Sequence, residues 1–93
     1  MIRSFRDPDT ERLFRREKVR TLPPDLLRVA LRKLVMLDAS TSLADLRVPP
    51  ANHLEKLAAD RLGQHSIRIN AQWRICFRWV GTDAFDVEIV DYH

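Results

Sequence analysis

From residue 65 to residue 79, apolar and polar side chains alternate with a period of two. Ile67 and Ile69 fall on one side of an extended chain, and Ser66, Arg68 and Asn70 on the other. After the polar break Asn70-Ala71-Gln72, Trp73, Ile75, Phe77 and Trp79 share one side, and Arg74, Cys76 and Arg78 the opposite one. Successive side chains of a strand point to opposite faces, so the pattern predicts an antiparallel hairpin with one buried face and one cationic face. Gly81-Thr82-Asp83 predicts a second turn. A last strand follows, with Phe85, Val87 and Ile89 on the apolar side and Asp86, Glu88 and Val90 on the other.

Upstream the period changes. Ile2 to Phe5 is a short candidate strand, stopped by Asp7-Pro8-Asp9, which opens a helix within residues 10–18. Leu13 and Phe14 give that helix its apolar stripe, with Glu11, Arg12, Arg15 and Arg16 toward water. Thr21 to Asp25 predicts the start of a longer helix: Pro23 and Pro24 suit a first turn, where no backbone N–H is needed, and Asp25 lies at the positive end. Leu27, Ala30, Leu31, Leu34 and Leu37 keep helical spacing, while Arg28, Arg32 and Lys33 sit elsewhere. Residues 38–41 end this helix, and Ser42 caps one more turn through Leu46. A loop runs from Pro49 to Gly63. The order predicts an α+β domain spanning residues 1–93, with an N-terminal strand and two to three helices packed on one face of a mainly antiparallel sheet.

Ninety-three residues suit a single domain. No apolar run reaches the length of about 18 residues that a membrane span needs, and the start lacks the apolar core of a secretory signal. A single cysteine, Cys76, makes no internal disulfide, which fits a cytoplasmic protein. Of the 16 basic residues 13 are arginine, the planar binder of phosphate, although GC-rich codon usage produces the same bias. Residues 1–47 carry 11 Lys and Arg against 7 Asp and Glu, and residues 48–93 carry 5 against 6. The basic half suits a polyanion or an acidic protein surface.

The three histidines and one cysteine have no metal-ligand spacing, two glycines make no phosphate loop, and no cofactor is expected. The cationic strand face is the candidate site. Arg68, Arg74 and Arg78, partly balanced by Asp86 and Glu88, share it with the tail Asp91-Tyr92-His93. Histidine moves a proton near neutral pH and tyrosine stacks on a base. Converging guanidiniums stabilise a phosphorane, which is a ribonuclease chemistry without metal. His53, Lys56 and Arg61 in the preceding loop add a base or further cations. Each of these residues is also an ordinary surface group when taken singly, and a chain terminus often frays.

These stretches resemble one family. MIRSF, RKLVMLDAST, DRLGQHSIRIN, QWRICFRW and the terminal VEIVDYH resemble the HigB toxins, also called plasmid-maintenance killer proteins, of the RelE/ParE toxin superfamily. The resemblance implies a RelE-like fold and the toxin of a type II toxin–antitoxin pair. Such toxins cut mRNA in the ribosomal A site. It implies a helix-turn-helix, HigA-like antitoxin as partner, with DNA met only through that antitoxin, and no membrane. By position it assigns Arg68 and Arg74 to the scissile phosphate, Tyr92 to substrate orientation, His93 to proton transfer and Asp91 to placing the tail. Many relatives carry Leu-Lys-Gly-Asp where this chain has Leu57-Ala58-Ala59-Asp60, so a weaker nuclease is expected. The alternative is a member that acts by binding alone, as a gyrase-type inhibitor or a degenerate partner of its antitoxin.

Overall fold

The computed structural model describes residues 1–91; the candidate residues Tyr92 and His93 lie outside them. Helix α1 spans Pro8–Phe14 and α2 spans Pro24–Ala39. Three short 3-10 turns follow α2, at Leu43–Arg47, Pro50–Asn52 and Ala59–Arg61. The strands are β1 Glu55–Lys56, β2 Gln64–Arg68, β3 Trp73–Val80 and β4 Asp83–Asp91, in an antiparallel sheet of order β1-β2-β3-β4.

Local chemistry explains the helix ends. Asp7 caps α1 by accepting from the Thr10 amide at 3.0 Å, with Pro8 in the first turn. The helix stops earlier than its pattern suggests because Arg16 takes a left-handed backbone, φ 61°. Thr10 also ties α1 to the sheet: its hydroxyl donates to Asp7 at 2.6 Å and accepts from the Ile89 amide at 3.1 Å. Thr21 does not cap α2. It donates instead to Asp9, joining the two helix starts. Ser42 caps the next turn as expected, and Asp45 makes the cap reciprocal, each side chain accepting from the other's backbone N–H.

The core lies between the helices and the side of the sheet that carries Ile67, Ile75, Phe77 and Val87, met by Ala30, Leu34 and Leu37 of α2. The buried stripe of α2 is rotated from the sequence reading. Leu26 and Lys33 are buried, and Leu27 and Leu31 are only half-buried. Lys33, placed off the apolar stripe by the sequence pattern, is 5% exposed.

The predicted N-terminal strand is reduced to two isolated parallel bridges beside β4, Ile2 with Ala84 and Phe5 with Val87. The interruption comes from β4 itself. Cys76 pairs with Glu88 and Arg78 pairs with Phe85, which leaves Asp86 and Val87 opposite Phe77. This is a β-bulge, with Asp86 at φ 53° and its freed N–H donating to the Ser4 hydroxyl at 2.9 Å. The extra residue inverts the alternation. Phe85, expected in the core, shares the face of Arg78, and Ala84 takes the core position.

Among the described residues no helix is long and apolar enough to cross a membrane. The N-terminal segment is held to the β3–β4 turn by Arg3, whose Nε donates to Asp83 at 3.1 Å. That bond holds the Asp83 carboxyl below its ordinary value. A depressed carboxylate stabilises the fold above the ordinary carboxylate pKa, about 3.9, and loses that effect as pH falls through its folded value. Asp83→Asn is therefore expected to be less stable than wild type near neutrality. The gap should close below about pH 4 in urea titrations taken across pH.

Candidate nucleic-acid interface

Register places the polar face of the sheet in rows. One row is Glu55, Ser66, Cys76 and Glu88; the next is Arg68, Arg74 and Val90; a third is Gln64, Arg78 and Phe85. The Asn70 side chain closes the hairpin that brings Arg68 opposite Arg74, accepting from the amides of Gln72 at 2.9 Å and Trp73 at 2.8 Å.

This face is not uniformly open, contrary to the simple alternation. Ser66 and Cys76 are fully buried and Arg74 is 8% exposed, and His53, Glu55 and Arg61 of the preceding segment contact this face. Burial pushes the Cys76 thiol up, which disfavours its thiolate. Arg74 is held on three sides. Its Nε donates to Ser66 Oγ at 2.7 Å, Nη2 donates to the His53 carbonyl at 2.6 Å, and Nη1 lies 3.7 Å from Glu55. Arg68 is half-buried, with Nε donating to the Asn70 carbonyl at 3.0 Å. Two cations directly opposite each other in a sheet repel, so the row favours an anion placed against it.

The remaining candidates divide. Arg61 donates to Glu88 at 2.6 Å and to Gln64 at 3.1 Å, so it joins the same face from the covering segment. Arg78 pairs with Asp86 at 2.7 Å in an exposed position, one row beyond Ser66 and Cys76. His53 contributes its carbonyl to Arg74, and its side chain belongs to an exposed residue with a left-handed backbone, φ 44°. Lys56 is not brought to the arginines. It pairs in register with His65 and Phe77 and so faces the helix side, where burial and then Lys56 itself lower the His65 pKa. Asp91, exposed, accepts from Gln72 at 3.1 Å and pairs with Trp73, one position beyond the Arg74–Val90 pair. The described chain therefore ends beside the Arg68–Arg74 row. Among the described residues no group of three or more His, Cys, Asp or Glu side chains is placed to hold a metal ion.

Ser66 and Glu55, the side-chain partners of Arg74, were missed as site residues. Ser66 was legible in part, since the alternation puts it on the arginine face. Glu55 was not, because only the β1–β2 pairing carries it there.

The RelE-like toxin of the type II toxin–antitoxin system HigB is the family whose model matches residues 3–93. This chain belongs to the HigB-like toxin family. It is 41% identical over 81 residues to Toxin HigB-1 of Vibrio cholerae serotype O1, covering 86% of this chain and 85% of that one. It is 30% identical over 93 residues to Endoribonuclease HigB of Proteus vulgaris, covering 100% of both. In fold it is similar to the YoeB–YefM complex from Staphylococcus aureus, with a TM-score of 0.55 at 16% identity, over 100% of this chain and 98% of the other.

In the covering segment of this HigB-like chain, Ala59 holds a left-handed backbone that favours glycine, φ 53°. Ala59→Gly is expected to raise stability by about 0.5–1 kcal/mol, read from the shift in denaturant midpoint. Arg74→Ala is not a purely functional probe, since it strips the buried Ser66 hydroxyl and the partly buried His53 carbonyl of their donor. It should cost about 2–4 kcal/mol in equilibrium unfolding, and Arg74→Lys, which keeps a donor at the site, should cost less.

Proposed function

We propose that this toxin cuts mRNA on the ribosome, using the Arg68–Arg74 row and the two residues beyond Asp91. The observation that carries the reading is the cross-strand arginine pair, with one member immobilised and the other half-exposed. The full-length match to a relative named as an endoribonuclease supports it. In the reaction the RNA 2′-hydroxyl gives its proton to solvent water as its oxygen bonds to the adjacent phosphorus, and the bond from phosphorus to the 5′-oxygen breaks, leaving a 2′,3′-cyclic phosphate. Arg68 and Arg74 neutralise the charge that gathers on the non-bridging oxygens. Tyr92 orients or stacks the substrate, His93 supplies the proton to the leaving 5′-oxygen, and Asp91 places that tail. Arg61 and Arg78 add phosphate contacts along the face. So sparse a site depends on the ribosome to hold the RNA in line, which makes cleavage ribosome-dependent. Ala58 offers no cation where many relatives have lysine, so cleavage is slower than theirs. The toxin's regulatory partner is an antitoxin of the helix-turn-helix class, a reading supported by membership of a type II toxin–antitoxin toxin family.

His93→Gln is expected to lose cleavage by about a hundredfold or more while unfolding like wild type. Arg68→Ala should lose about tenfold to a hundredfold, and Ala58→Lys should gain. Mapping transcript 5′ ends after induction, and cleavage with purified ribosomes, read these changes. A His93→Gln variant that stays fully toxic, with intact mRNA and damaged DNA, would replace this reading with gyrase-type inhibition.

A further inference from the structure

Lys33 lies on α2, away from the arginine row, yet it is buried and donates to Asn52 Oδ1. Asn52 is itself fully buried. Its amide nitrogen donates to the carbonyls of Leu46 at 3.1 Å and Val48 at 3.4 Å, with Met36 Sδ at 3.2 Å. An ammonium only donates and a carbonyl only accepts, so these partners permit one orientation of the amide. The next residue, His53, has the left-handed backbone whose carbonyl receives Arg74 Nη2 at 2.6 Å. The turn at residues 52–53 is thus pinned from both layers: by Lys33 from the helix and by Arg74 from the sheet. A buried ammonium facing a neutral amide is a poor stabiliser, and burial lowers the Lys33 pKa accordingly. Mere packing would be served as well by an apolar side chain.

We infer that Lys33 and Asn52 are positioning residues, which hold the His53 carbonyl where it locks the Arg74 guanidinium for phosphate binding. The catalytic half of this inference rests on the nuclease reading; the structural half does not. Lys33→Met keeps the volume and removes the donor. Its thermal midpoint should fall only modestly, since the buried Asn52 Oδ1 loses its donor while the cost of burying an ammonium is removed. Its cleavage rate at saturating ribosome–mRNA complex should fall about tenfold or more, with half-saturation unchanged. Lys33→Arg, which restores a donor, should recover most of the rate. In Lys33→Met the Arg74 Nη2 protons, which donate to the His53 carbonyl, should exchange with water at least about tenfold faster than in wild type. If Lys33→Met fails to fold, Lys33→Leu, which also carries no donor, takes its place with the same expected results. An unchanged Arg74 exchange rate, or an unchanged cleavage rate in a folded variant, overturns the inference. If wild-type protein cleaves no RNA on ribosomes, the nuclease reading falls, and the exchange measurement alone decides the positioning role.

Discussion

A guanidinium buried beneath its own covering segment is the constraint on which the polar side of this molecule depends. Arg74 sits in the middle of the sheet, beside Arg68, and is nearly sealed from solvent. A cation so placed is tolerable only when its donors are satisfied. The Ser66 hydroxyl and the His53 carbonyl do that, and Glu55 adds charge. The same contacts fasten the segment from His53 onward to the strands and turn a flat polar face into a walled one.

Charge on the two sides of the sheet is managed by opposite means. On the helix side, Ile67, Ile75, Phe77 and Val87 are packed without exposure, and stability rests on removing apolar surface from water. On the polar side, arginines among the described residues are each steered by a specific partner: Arg61 by Glu88, Arg78 by Asp86, Arg68 by the Asn70 carbonyl. Surface pairs of this kind contribute little to folding. Their effect is to set the direction of each guanidinium. That suits a face that meets a phosphate backbone, where geometry matters more than net charge.

The bulge at Asp86 links these two sides. One extra residue in β4 lets Ala84 fill the core at one end of the strand while Val87 and Ile89 fill it at the other. It also moves Phe85 onto the arginine face and gives the Asp86 N–H to Ser4, which ties the N-terminal segment to the sheet edge. A single backbone irregularity therefore serves core packing, edge protection and the layout of the polar rows.

The chain's own pattern determined whatever depends on near neighbours. Period two located the hairpin and its cationic face, period 3.6 located α2, and Asp7, Ser42 and Asn70 marked a helix start, a capped turn and a hairpin, because these signals act over two to four residues. Family motifs carried the kinship. Tertiary structure decided the rest. Lys33 is buried because Asn52, nineteen residues on, meets it. Phe85 changes face because Ser4 receives the bulged amide. Lys56 leaves the site because β1 pairs with β2 in a register that no local pattern specifies. Arg74 becomes a wall rather than a solvated charge because a segment twenty-one residues away supplies its acceptor. Partners distant in sequence meet only once the chain has folded, and alternation along a strand says which face a residue takes, not what will cover it.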